Sequence, residues 1–135
     1  MKIDLLEVVL ADLKTRNENS FDYHEFVGKF DAINNCASMS CVAGDLPRIF
    51  PNDWAWEIHC NINVSIRFIQ STTGDFDLDI CSFFEINNAI SYALFYGAGL
   101  LYIQPICLSS RLPEVINHWE NIISYLKTET HFKHF

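Results

Sequence analysis

Residues 54–68 read WAWEIHCNINVSIRF, and this stretch decides the fold. Every second residue from Trp54 to Phe68 is apolar, and the residues between them are mostly polar. A period of two is typical of a β-strand with one face against the core. At about 3.3 Å per residue, one strand of this length would extend roughly 50 Å, which is too long for a small domain. We therefore predict a hairpin over residues 54–69, with its bend near residues 60–63.

The alternation continues on the C-terminal side of this hairpin. Residues 71–74 (STTG) are typical of a turn, and residues 75–80 (DFDLDI) are again apolar at every second position. Residues 100–103 form another short apolar run, which ends before Pro105. These patterns predict a small antiparallel sheet of about three to four strands, including residues 54–69 and 75–80.

Helices are predicted on both sides of these strands. Asp4 with Glu7, and Ser82 with Glu85, have the spacing of a capping box at a helix start. A shorter helix is predicted over residues 37–44. The four main segments with apolar residues at helical intervals are residues 4–16, 22–34, 82–96 and 112–127. We predict an α+β fold in which these helices pack on the sheet, within one globular domain of residues 1–135.

Composition and charge narrow the range of functions. Half of the 135 residues are hydrophobic, and 17 acidic residues against 9 basic ones give a formal charge of −8. Such a chain can bury a substantial core, and it repels phosphate backbones and anionic lipid head groups. We therefore expect neither direct nucleic-acid binding nor membrane binding, and a protein partner with a basic surface fits the charge better.

The cysteine count and the first residues indicate the compartment. Five cysteines are an odd number, and acidic residues interrupt the N-terminal segment where a signal peptide needs apolar ones. We expect a cytoplasmic chain with reduced thiols. Residues 86–110 carry no formal charge and are long enough to span a bilayer, but the polar residues and glycines within them favour a buried helix followed by a buried strand.

Three cysteines and one histidine in residues 36–60 have side chains that can bind zinc. Cys36 and Cys41 lie five positions apart, with four residues between them, whereas we expect paired ligands of a structural zinc site two to four positions apart on a tight knuckle. His59 and Cys60 are adjacent, which directs their side chains to opposite faces of a strand. We therefore predict no metal and no cofactor, and we keep a small metal- or thiol-dependent enzyme using these four residues as an alternative.

Asp75, Asp77 and Asp79 form the most distinctive polar feature. On a strand their carboxylates would share one face at intervals of about 6.6 Å. An EF-hand calcium loop is excluded, because the required glycine and glutamate are missing at its sixth and twelfth positions. A solvated strand face explains the pattern, and so does an acidic docking ladder, to which Glu57 would add a fourth carboxylate. No Lys or Arg lies between Arg67 and Arg111, which favours docking of a basic partner.

The segment from Cys36 to Gly44 resembles an element of small uncharacterised phage and prophage proteins, which read Cys-Gly-Thr-x-x-Cys-x-x-Gly-Trp after a short Phe-Asp helix. Phe21-Asp22 matches that helix, whereas Ala37-Ser38 replaces Gly-Thr and Asp45 replaces the Trp. The resemblance implies an accessory protein of a mobile element, a setting in which many proteins bind and inhibit host machinery. We expect a non-enzymatic, phage-encoded inhibitor of a host nucleic-acid-handling defence complex, of the anti-CRISPR kind. An immunity-type protein that neutralises a toxin is the other alternative.

Overall fold

The computed structural model describes residues 1–17, 29–31, 36–39, 42–59, 63–100, 102–107 and 110–133, and it confirms the predicted α+β fold. A 3-10 turn, Ala43–Asp45, precedes the second helix. In chain order the elements are α1 (Ile3–Thr15), β1 (Lys29–Asp31), β2 (Cys36–Met39), α2 (Leu46–Ile49), β3 (Trp54–His59), β4 (Asn63–Phe68), α3 (Phe76–Phe84), α4 (Asn88–Tyr96) and α5 (Leu112–Lys133).

The predicted hairpin is confirmed by its two strands, while residues 60–62 of the predicted bend lie outside the described residues. β3 and β4 pair antiparallel, from Trp54 opposite Phe68 to His59 opposite Asn63. Trp54 is buried and Ile66 packs against the core, whereas Ser65 is exposed. The period of two therefore assigned the faces of these strands correctly wherever the side chains are described.

The predicted sheet of three to four strands is wrong for the described residues, which contain two separate antiparallel pairs. β1 pairs with β2, with Phe30 opposite Ala37. This pairing overturns the helix predicted over residues 22–34 at residues 29–31, and the helix predicted over 37–44 at residues 37–39. Ladder partners satisfy the backbone groups that a helix would have satisfied internally. The rest of residues 22–34 lies outside the described residues.

The strand predicted over residues 75–80 is wrong, because α3 begins at Phe76. The single helix predicted over residues 82–96 is wrong as well, since α3 and α4 share that segment. α3 ends at Glu85, whose backbone is left-handed with φ 53°. Asn87 then caps α4 by accepting the Ile90 N–H at 2.9 Å. A side-chain cap at residue 87 restarts the helix there.

The first and last predicted helices are confirmed. α1 packs along α5, and both direct a row of buried aliphatic side chains inward, as their helical spacing predicted. α1 starts one residue earlier than predicted, and Lys2, at its N-cap, makes no side-chain cap bond, so Asp4 is not the cap. α5 continues to Lys133, six residues beyond its predicted end.

Aromatic rings form the centre of the core and connect the hairpin to the helices. Phe83 lies against Trp54 with ring centroids 5.7 Å apart, and Phe84 lies 5.9 Å from Phe95. Phe95 meets Trp119 of α5 edge-on at 5.4 Å. Such pairs add stability beyond the area that they bury. The hairpin, α3, α4 and α5 therefore share one core.

A charged network joins the end of α1 to α2. Asp45 is buried and lies 3.4 Å from Arg16 and 2.7 Å from Arg48, which also contacts Asp12 at 2.7 Å. Burial lowers the pKa of Arg48, but the hydrogen bonds and charges of Asp12 and Asp45 outweigh it and hold that pKa above its usual value. Buried charges persist in this way only when they are paired.

The end of α4 is capped from α5. Gly97 closes the helix with φ 80°, a left-handed conformation that favours glycine. The last carbonyls of a helix have no partner within it. His118 contacts the Ala93 carbonyl through Nε2 at 2.8 Å, and Trp119 donates to the Leu94 carbonyl at 2.9 Å.

The described residues after α4 show a turn in place of the short strand predicted over residues 100–103, with Leu100 and Ile103 paired in an isolated bridge. Within the described residues, no helix is both long enough and apolar enough to cross a membrane.

Candidate functional site

The turn before α3 fixes the position of the first carboxylate. Asp75 is the N-cap of α3, and its Oδ1 accepts the Leu78 N–H at 3.2 Å. Gly74 precedes it with φ 69°, a left-handed conformation that glycine adopts without strain. Asp77 and Asp79 follow in the first turn, where the helix dipole stabilises negative charge. Local structure therefore gathers acidic residues at this helix end.

Asp79 is buried but satisfied. Its carboxylate accepts a hydrogen bond from the Thr73 hydroxyl at 3.1 Å, and the same hydroxyl oxygen accepts the Asp75 N–H at 3.1 Å. A buried carboxylate needs donors of this kind to remain charged. Thr73 therefore holds two of the three aspartates in fixed positions relative to each other.

Asp77 connects α3 to α4. Its Oδ1 accepts a hydrogen bond from the Tyr96 hydroxyl at 2.9 Å. Tyr96 in turn lies beside Tyr92, which is 44% exposed, with ring centroids 5.6 Å apart. The carboxylate of Asp77 is therefore held at the edge of a partly exposed aromatic surface.

Glu57 forms an ion pair with Arg67 across the hairpin. Their side chains are 39% and 50% exposed, respectively, so the pair contributes little to stability. Glu57 is therefore a partly solvated carboxylate on β3.

Two adjoining hollows between β4 and the start of α3 are lined by these four acidic residues. Asp75 and Asp77 line the first hollow, of about 490 Å³, while Glu57 and Asp79 line the second, of about 520 Å³. We call the two together the acidic hollow. Four carboxylates and one guanidinium, that of Arg67, line it. The residues shared by its two parts are Ser65, Ile66, Gly74 and Phe76.

The acidic hollow differs from the ladder that the sequence predicted. Residues 75–80 follow a helical path, so Asp75 and Asp79 lie on one side and Asp77 on another. The spacing of about 6.6 Å along one strand face is therefore wrong. Sequence reasoning also missed Thr73 and Tyr96, which hold the carboxylates. Thr73 could have been recognised from the sequence, because it lies two residues before the N-cap Asp75. Tyr96 could not, because no local pattern connects it to Asp77.

The metal alternative rests largely on side chains outside the described residues. Cys41 and Cys60 lie outside them entirely, and only the backbones of Cys36 and His59, in β2 and β3, are described. Among the side chains that are described, no group of three or more His, Cys, Asp or Glu residues could hold a metal ion.

Cys81 in α3 is one of the two cysteines with a described side chain. Burial raises the pKa of its thiol, and the negative charge of Asp77 raises it further, while a hydrogen bond with Ser91 acts in the opposite direction. A raised pKa keeps the group as a thiol at neutral pH, whereas the thiolate is the nucleophile. Cys81 is therefore poorly suited to nucleophilic catalysis.

No family model matches this chain, and neither the curated proteins nor the solved structures contain a significant match to it. Geometry and charge therefore carry the functional argument.

Proposed function

We propose that this protein is a non-enzymatic binding protein whose acidic hollow receives basic side chains of a protein partner. The observation that carries the proposal is that acidic residues line two adjoining hollows with a shared apolar floor, Asp75 and Asp77 in one and Glu57 and Asp79 in the other. Ile66 and Phe76 supply that floor. A long basic side chain buries an aliphatic stem and presents a charged end, so its two parts match this surface.

The acidic hollow is preorganised for such a partner. Hydrogen bonds with the Leu78 backbone, Tyr96 and Thr73 restrain the three aspartates before any partner binds. Groups already fixed in their bound positions lose less conformational entropy on binding. The formal charge of −8 also accelerates the encounter with a basic surface.

The finer proposal is a phage-encoded inhibitor, acting in the cytoplasm of the bacterial host on a nucleic-acid-handling defence complex. Its support is the resemblance of residues 36–44 to phage and prophage proteins, together with the acidic charge. A surface that binds nucleic acid is basic, so an acidic protein can occupy it in place of the phosphate backbone. The inhibitor itself then has no direct contact with nucleic acid.

The test is a parallel capture from bacterial lysate with the wild type and with the double variant Asp75→Asn/Asp77→Asn. Asn keeps the N-cap and the acceptor for Tyr96, so folding is preserved while two charges are lost. Asp4→Asn/Glu120→Gln is the matched control, because it removes two acidic charges from α1 and α5 outside the hollow.

For the captured partner, association rates are measured by surface plasmon resonance at several salt concentrations. The double variant should associate at least about threefold more slowly at low salt, with a flatter salt dependence, since the steering charges are screened over roughly 8 Å at physiological ionic strength. The control variant should behave like the wild type. Equal association rates and salt slopes for all three proteins would show that the acidic hollow is not part of the interface. Identifying the partner as a nuclease complex or as a toxin separates the inhibitor from the immunity protein.

A further inference from the structure

A second concave surface lies away from the acidic hollow, between residues 102–106 and the side of α5. This surface, which we call the α5 groove, has a volume of about 710 Å³, within the range of small-molecule sites. Ile103, Pro105 and Ile106 supply apolar contact area on one wall. The other wall is a polar stripe of α5 that includes Asn117 and Asn121.

His118 lines the α5 groove and carries an unused acceptor there. Its side chain is 98% buried, because only 2% of the residue surface is exposed. Nε2 lies 2.8 Å from the Ala93 carbonyl oxygen, which can only accept, so Nε2 carries the hydrogen. In the neutral ring Nδ1 is then an acceptor, and none of the described residues donates to it. Nδ1 is not fully enclosed and keeps some contact with solvent. A ligand in the groove that donates to Nδ1 therefore takes the place of water.

The remaining polar side chains of the groove can all accept hydrogen bonds. Gln104, Asn117 and Asn121 present carboxamide oxygens, and Glu114 presents a carboxylate. Glu114 is the only charged side chain among the described residues that line the groove, and no Lys or Arg accompanies it. A phosphate or carboxylate ligand would therefore meet no opposite charge in the groove. A cation rich in N–H groups would meet the negative charge of Glu114 as well as hydrogen-bond acceptors.

Tyr102 stands at the rim of the groove in a costly conformation. Its backbone has φ 68°, which is rare for a bulky residue, and its side chain is 92% exposed. Strain of this kind costs on the order of 1–3 kcal/mol and clusters at ligand sites. Tyr125 adds a second aromatic ring to the lining. Two tyrosine rings favour a flat cation that can stack on them.

We infer that the α5 groove binds a guanidinium group, carried either by a small molecule or by an arginine side chain of a protein. A guanidinium is planar, stacks on aromatic rings and has five N–H donors, which suit the acceptors of His118, Glu114 and the carboxamides. An ammonium group has three donors and no flat face. The formal charge of −8 raises the local concentration of any such cation. This inference does not depend on the acidic hollow.

The experiment observes His118 directly in protein labelled with ¹⁵N-histidine, titrated with butylguanidinium and, for comparison, butylammonium. Butylguanidinium should shift the Nδ1 resonance of His118 in a saturable manner and leave Nε2 nearly unchanged, because Nε2 stays bonded to Ala93. Butylammonium should bind more weakly. No shift of Nδ1, or equal affinity for the two probes, would overturn the inference.

Two variants and a third probe locate the site and its natural ligand. Glu114→Gln should weaken butylguanidinium binding about fivefold, the size expected for one exposed charged contact, while Glu120→Gln on the same helix should not. Equal weakening by the two variants would indicate general charge attraction and would refute the groove. Asp75→Asn/Asp77→Asn should leave the Nδ1 shift intact. The peptide acetyl-Gly-Arg-Gly-amide should bind more tightly than butylguanidinium if the ligand is a protein, and more weakly if it is a small molecule.

Discussion

The β3–β4 hairpin and the first two turns of α3 both alternate apolar and polar residues, and both pack on the same core with different geometry. In the hairpin the alternation runs through two strands that satisfy each other's backbone groups. At α3 it covers only Phe76, Leu78 and Ile80, and Leu78 is 47% exposed. Phe83 and Phe84 extend the set at helical intervals from Phe76 and Ile80, and all four pack in the core. A period of two over three residues is therefore too short to decide between strand and helix.

The largest effect that can test this comparison lies within α3. On a strand, Leu78 and Ile80 would share a face, whereas in the helix only Ile80 is fully buried. Ile80→Asp places a charge in the core, so we expect the protein to be unfolded at 25 °C by circular dichroism. Leu78→Asp adds an acid to the first helical turn and should change stability by no more than about 0.5 kcal/mol. Similar damage from both changes would support the strand.

The hairpin allows the corresponding test in a segment where the alternation of apolar and polar residues does form strands. Ile66 packs against the core and Ser65 is exposed on the other face. Ile66→Asp should lower the free energy of unfolding by about 2–3 kcal/mol in urea titrations, since a half-buried apolar contact is replaced by a charge. Ser65→Asp should cost clearly less, about 0.5 kcal/mol, the size expected for repulsion by the like charge of Glu57 directly opposite it. If the two variants had equal midpoints, the assignment of faces in β4 would be wrong.

A smaller effect on stability is expected at Asp75, the N-cap of α3. Asp75→Ala removes the side chain that accepts the Leu78 N–H, and it should cost about 1 kcal/mol in the same urea titration. Asp75→Asn keeps an acceptor at the N-cap and should be close to neutral. A neutral Asp75→Ala would mean that the cap does not determine where α3 begins.

The smallest effect concerns the predicted capping box of Ser82 and Glu85. Glu85 ends α3 with φ 53°, a conformation in which glycine has no steric penalty, so Glu85→Gly should raise the free energy of unfolding by about 0.5–1 kcal/mol. Ser82 is an exposed residue inside α3, and Ser82→Ala should be silent. A loss of stability in both variants would instead support the capping box predicted for Ser82 and Glu85.

Residues that determine structure locally were predictable, and those that act through distant partners were not. α1, α5 and the hairpin follow from long periodic patterns, and Gly97 marks a helix end through its own conformation. The pair of β1 and β2 is an exception, because only four residues separate these strands and a short apolar pattern near Phe30 fits a helix as well as a strand.

The candidate site shows the same division. Its acidic residues were recognisable from sequence as a group, and in the structure Glu57 lines the same hollow as Asp79, while Asp75 and Asp77 line the adjoining one. Their geometry was not predictable, because it depends on a helix start and on the bond between Tyr96 and Asp77, nineteen residues apart. The α5 groove gave no sequence signal, since His118 and residues 102–106 meet only in the folded chain.

The two caps at the end of α4 also determine how this part of the molecule opens. His118 and Trp119 are adjacent and bond adjacent carbonyls, those of Ala93 and Leu94, so α5 cannot move along α4 by one turn without breaking both hydrogen bonds. Each break would leave buried polar groups unpaired. The two helices therefore open as one cooperative unit, and the backbone amides near Leu94 and Trp119 should show a common free energy of opening in hydrogen exchange.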